Sequence, residues 1–93
     1  MFVGSLEVTI TIPCNDTLKG KRRVVKSLLD RLRGRYNVGA AEVDSMESHS
    51  IATLGVATVS NDRTVLQRLM NDILRWIEDN WDGEVSSYDI TIT

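Results

Sequence analysis

Leu6-Glu7-Val8-Thr9-Ile10-Thr11-Ile12-Pro13 is followed, after residues 14–17, by Leu18-Lys19-Gly20-Lys21-Arg22-Arg23-Val24-Val25-Lys26-Ser27-Leu28-Leu29-Asp30-Arg31-Leu32-Arg33-Gly34-Arg35-Tyr36, and the change of period between the two stretches decides the fold. In the first, Leu6, Val8, Ile10 and Ile12 alternate with Glu7, Thr9 and Thr11, the period of a half-buried strand. Pro13 cannot donate to a ladder and ends it. Asn15-Asp16-Thr17 supplies side chains for a helix start. From Leu18 to about Arg35 the apolar residues Leu18, Val25, Leu28, Leu29, Leu32 and Tyr36 recur at three- and four-residue steps, the period of a helix roughly 27 Å long. Gly20 weakens its first turn, and Gly34 lies where it would loosen or stop.

Working outward, Val38–Val43 reads as a second strand, residues 44–50 as a polar connection, and Ile51–Val59 as a third strand, apolar on both faces and so central. Ser60-Asn61-Asp62 caps a second helix with the stripe Leu66, Leu69, Met70, Ile73 and Ile77, closed by Asn80-Trp81-Asp82-Gly83. Tyr88, Ile90 and Ile92 then alternate with Asp89, Thr91 and Thr93. The order β-α-β-β-α-β predicts an α+β ferredoxin-like sandwich, with a four-stranded antiparallel sheet and both helices on one face. At 93 residues it forms a single domain over 1–93.

Composition excludes several classes. The chain is 42% hydrophobic and 26% charged, as ordinary globular domains are, so collagen-like, disordered and coiled-coil readings fail. No apolar run approaches the ~20 residues of a membrane span, and no membrane partner is expected. The N-terminus lacks the pattern of a signal peptide. The single cysteine, Cys14, has no internal disulfide partner, which fits a cytoplasmic location.

The formal net charge of −2 conceals a division. Residues 17–36 hold eight of the eleven Lys and Arg and one acid, a net of +7; the remainder is −9. At 100° per residue, with Lys19 at zero, the apolar residues of the first helix fill an arc from about 140° to 280°. Lys19, Arg22, Arg23, Lys26 and Arg33 fall between about 300° and 40°, opposite it. Arg31 and Arg35 flank the apolar stripe. Lys21 lies inside the apolar arc, at the first turn, where its stem is expected to snorkel outward. Asp30 shares the basic band and can pair with Lys26 or Arg33. Most charged helix faces are merely solvated, but such faces mix signs, as residues 62–82 do with three basic and five acidic residues.

Met1-Phe2-Val3-Gly4, the block Leu18-Lys19-Gly20-Lys21-Arg22-Arg23-Val24-Val25-Lys26-Ser27-Leu28-Leu29-Asp30-Arg31-Leu32, Tyr36-Asn37-Val38, Ala41-Glu42-Val43 and Leu54-Gly55-Val56-Ala57-Thr58-Val59-Ser60 resemble the YlxP-like family of small bacterial proteins of unknown function. The resemblance covers nearly the whole chain and implies a ferredoxin-like fold. Genes of that family often lie beside genes for translation and transcription factors, which implies ribosome or RNA business. The family's Leu-Lys-x-Lys-Arg-x-Val block falls on Lys19, Lys21, Arg22 and Arg23. Gly20 stands where relatives often carry an acidic residue.

Residue chemistry offers little else. One His and one Cys, distant in sequence, fall short of the ligands a zinc site needs, and no calcium-loop spacing occurs. His49, the only imidazole, sits in a polar connection, and no nucleophile–base pair is visible. Glu42, Asp44 and Glu47 are the one carboxylate group worth weighing, since alternation places Glu42 and Asp44 on one side of a strand. The glycines are dispersed, without a phosphate-cradling loop. On the open sheet face, Ser5, Glu7, Thr9, Thr11, Thr53, Gly55 and Ala57 include no aromatic on which a base could stack. Trp76 and Trp81 are read as packing residues.

The sequence therefore points to a non-enzymatic, RNA- or ribosome-associated module without cofactor or metal. Lys19, Lys21, Arg22, Arg23, Lys26 and Arg33 form its nucleic-acid-binding face, and no DNA sequence specificity is expected. The alternative is a protein-interaction or homo-oligomeric module that uses the charge division or the small-residue sheet face.

Overall fold

The computed structural model describes residues 1–13 and 16–93, so the readings of Cys14 and Asn15 lie outside the described residues. The elements run β1 (Phe2–Thr11), α1 (Leu18–Arg35), β2 (Gly39–Asp44), β3 (Ile51–Ser60), α2 (Arg63–Asn80) and β4 (Val85–Ile92). They form one antiparallel sheet in the order β2-β3-β1-β4, the ferredoxin-like arrangement. β1 pairs over its full length with β3, Leu6 opposite Val56, Val8 opposite Leu54 and Ile10 opposite Ala52. These even-numbered residues share one face and are buried. Against them pack Val25, Leu28, Leu29 and Leu32 of α1 and Met70, Ile73, Leu74 and Ile77 of α2. α2 lies on β1, β3 and β4, and α1 lies beside β2. Both helices thus cover one face, and the other is bare.

Both helix starts follow from capping chemistry. Thr17 is the N-cap of α1, its hydroxyl accepting from the Gly20 N–H at 3.0 Å. Asp62 caps α2, its carboxylate accepting from the N–H groups of Thr64 and Val65. Gly34 does not stop α1. The helix runs on through Arg35, and Tyr36, extended and not left-handed, closes it with an N–H donated to the Leu32 carbonyl at 2.9 Å. Two β-bulges adjust the sheet, one between Thr9 and Ile10 against β4 and one between Glu42 and Asp44 against β3. In β4, Ile90 and Ile92 are half-buried, but Tyr88 is 60% exposed, because β4 is an edge strand that α2 only partly covers. No helix among the described residues is long and apolar enough to cross a membrane.

Candidate nucleic-acid interface

α1 presents its outer surface opposite the apolar stripe, as the wheel predicts. Lys19, Arg22, Arg23, Lys26 and Arg33 are all exposed. Among the described residues, Lys19, Arg22 and Arg23 have no ion-pair or hydrogen-bond partner for their side chains. They cluster at the N-terminal half of α1, where the exposed N–H groups add a partial positive charge of their own. No acid stands in the first turn to offset it.

Further along, the field is reduced. Lys26 donates to Asp30 at 2.8 Å, and Arg33 donates to the other carboxylate oxygen at 3.1 Å. Arg33 also donates to the Ala40 carbonyl at 2.6 Å and so ties the end of α1 to β2. The Asp30 carboxyl is held below its ordinary value of 3.8, first by the hydrogen bond from Lys26; loss of hydration opposes it, and the charges of Lys26 and Arg33 and the hydrogen bond from Arg33 add to the lowering. A depressed carboxyl contributes to stability above its unfolded value, and that contribution is lost as pH falls through the lower, folded value. Asp30 is therefore ionised throughout the neutral range.

Lys21 corrects the sequence reading. Its amine does not reach solvent; the side chain is 1% exposed. The apolar arc of α1 faces β2 and the β2–β3 connection, and there the amine finds acceptors. It lies 2.8 Å from Glu42 Oε2 and donates to the carbonyls of Ser45 and Ser48 at 2.5 Å each. A satisfied ammonium inside the fold offers nothing to a polyanion, so Lys21 leaves the interface and the exposed face holds five cations. The same contact separates Glu42 from Asp44. Glu42 turns to Lys21, the bulge interrupts the alternation, and Asp44 accepts the Ser45 N–H at 2.7 Å. Among the described residues, no three His, Cys, Asp or Glu side chains converge as metal ligands.

Two aromatic–arginine contacts flank the basic face. The Arg31 guanidinium lies 5.4 Å from the Trp76 ring centre, and that of Arg35 lies 5.6 Å from the Tyr36 ring. Tyr36 and Trp76 meet edge to face, 6.2 Å apart. Arg23, Ser27 and Arg31 line one wall of a groove of about 240 Å³ between α1 and the end of α2, with Trp81 and Asp82 on the far side. Sequence placed Arg31 and Arg35 only as flanks. The groove joins residues some fifty positions apart, and a single-helix wheel carries no signal of it. Trp81 is a packing residue, its indole N–H donated to the Thr11 carbonyl at 3.0 Å.

The chain is 28% identical over 77 residues to the uncharacterised protein YlxP of Bacillus subtilis (strain 168), a match over 83% of this chain and 84% of that protein. Residues 3–90 match the model of a family described as a protein of unknown function, DUF503. With nearly its whole length inside that match, the chain belongs to the DUF503 family, whose function is unknown.

Proposed function

We propose that the protein is a non-enzymatic module that binds the phosphate backbone of structured RNA through the outer face of α1. The observation that carries this reading is the three cations Lys19, Arg22 and Arg23, without a partner among the described residues, at the N-terminal half of a rigid helix. Lys26 and Arg33 extend the row and share one carboxylate. RNA is named because the family resemblance implies a gene setting beside translation and transcription factors. The deep, narrow major groove of an RNA helix keeps its base edges from this row of cations, and among the described residues the open sheet face carries no aromatic on which an unpaired base could stack. Binding is accordingly weak in sequence preference and strong in salt dependence.

The test is fluorescence anisotropy with a labelled RNA hairpin at several salt concentrations. Three or four neutralised phosphates predict a slope of log affinity against log salt of about −3. Arg22→Glu with Arg23→Glu is expected to lower affinity at low salt by about tenfold or more. Unchanged affinity in that double variant overturns the reading.

Asp30→Asn is the opposite experiment. It removes the one acid of the face and frees Lys26, while Arg33 loses its ion pair and keeps its bond to the Ala40 carbonyl. We expect a gain of about two- to fivefold in affinity at low salt and a steeper salt slope. For the wild type, the depressed Asp30 carboxyl predicts no change in affinity from this group between pH 8 and pH 5, since it stays ionised there. A loss of affinity in Asp30→Asn would show that the carboxylate serves to orient the two cations.

A further inference from the structure

The bare face of the sheet, on the side opposite α1, has a chemistry of its own. Over β2 and β3 its floor is made of Gly39, Ala41, Gly55 and Ala57, paired Gly39 with Ala57 and Ala41 with Gly55. Over β1 and β4 stand Glu7 and Asp89, directly opposite each other in the register. These six residues lie in one shallow trough of about 460 Å³. Its rim on β2 is Val43, which the bulge between Glu42 and Asp44 sets beside Gly55. A Cβ at Gly55 would come within 2.7 Å of Val43 Cγ1, so the valine leans over the glycine and remains half-exposed.

Glu7 and Asp89 are both exposed, and neither has a cationic partner among the described residues. Directly opposed like charges destabilise a sheet. The exposed cations of α1 sit on the other layer and cannot relieve this pair. The trough therefore presents an apolar, small-residue half and an uncompensated anionic half, about two strand spacings apart.

We infer that this face docks a cationic, amphipathic polypeptide segment of another protein, with an apolar side chain over Gly55 and Ala57 against Val43 and a lysine or arginine on Glu7 and Asp89. Charge decides the occupant. A second copy docked face to face brings two more carboxylates and no cation to this face. The outer face of α1 from a second copy brings cations but no apolar residue for the floor. An anionic lipid surface or a nucleic acid is repelled. Two carboxylates fall short of the six to eight oxygens a calcium ion takes.

The test uses the full ¹⁵N-labelled chain and a 14-residue amphipathic helical peptide of leucine and lysine, with a leucine–glutamine peptide as control. Expected are amide shifts concentrated at Glu7, Gly55, Ala57 and Asp89 with the lysine peptide, and at least tenfold weaker binding of the control. Glu7→Gln with Asp89→Asn should weaken the lysine peptide about tenfold while raising the melting midpoint by about 2–4 °C, since a repulsion is removed. Ala57→Arg, at an exposed position, should block the trough with the fold intact by circular dichroism. Shifts confined to the helix layer, equal affinity of the two peptides, or dimerisation through this face by sedimentation overturns the inference. RNA binding through α1 is unaffected by either variant, so the two readings fail separately.

Discussion

Lys21→Met is expected to destabilise the fold by about 3–5 kcal/mol, which lowers the melting midpoint by roughly 12 °C or more in a chain of this size. The methionine keeps most of the stem's volume, so the loss isolates the charge. In the native fold the ammonium serves Glu42 and the carbonyls of Ser45 and Ser48 at once. Glu42 Oε2 is buried and makes no well-aligned hydrogen bond, so the nearby ammonium is its compensation among the described residues. Removing the cation leaves a carboxylate and two carbonyls without it. Ser45 adds to the effect. Its φ of 61° is left-handed, a conformation that a serine holds only against a cost of about 1–2 kcal/mol. The Lys21 bond to its carbonyl and the Asp44 bond to its N–H hold it there. Urea denaturation of the double variant Lys21→Met with Glu42→Leu checks the argument. Removing both charges should recover more than half of the loss, because a buried ion pair is near neutral against apolar residues of similar volume. A double variant no more stable than the single would refute the assignment to charge.

Lys21 also marks where the sequence stops being legible. The alternation of residues 6–12 and the stripe of α1 depend on neighbours within one turn or one strand, and those elements stand where the pattern places them. The N-cap of α2 and the central place of β3 are local in the same sense. The partners of Lys21 lie 21, 24 and 27 residues away, on a strand and a connection whose docking is a property of the whole fold. A helical wheel reports a cation in an apolar arc; it does not report that an acid faces it. One signal was available. Glu42 shares its parity with Ala40, on the side of β2 that the helices cover, and an acid on that side calls for a cation in the facing helix. The bulge hid it, because strict alternation through Val43 would join Glu42 to Asp44. The exposed face of α1 was readable because exposure opposite a stripe needs no distant partner. The shared carboxylate of Asp30 was readable too, from its spacing to Lys26 and Arg33. The trough on the bare face was not, since it requires the strand register that sets Glu7 against Asp89.

Gly83→Ala is the second large loss, expected at about 2–4 kcal/mol, and its cause is space. The glycine has no positive φ, so an alanine could adopt its backbone. On conformational entropy alone, that exchange would stabilise by about 0.4–1 kcal/mol. Sterics override it. A Cβ there would lie 2.2 Å from the Thr11 carbonyl oxygen, 2.5 Å from Trp81 Nε1 and 3.1 Å from Pro13 Cδ. The first two atoms are the acceptor and donor of the bond that fastens the end of α2 to the end of β1. Around them, the Thr11 N–H donates to the Glu84 carbonyl and the Glu84 N–H to the Thr11 hydroxyl, which sets the start of β4 beside β1. Backbone on one side and a fixed indole on the other leave no flexible group to give way. An added methyl must break the indole bond, worth about 0.5–1.5 kcal/mol net, and push β4 outward. Tryptophan fluorescence should report a more solvated indole alongside the lower denaturation midpoint. Gly34→Ala is the control. Gly34 lies inside α1 with nothing within 4 Å of its Cβ position, so the same exchange should stabilise by about 0.5–1 kcal/mol. Equal midpoints for the two variants would show that the Thr11–Trp81 contact does not hold the helix end to the sheet.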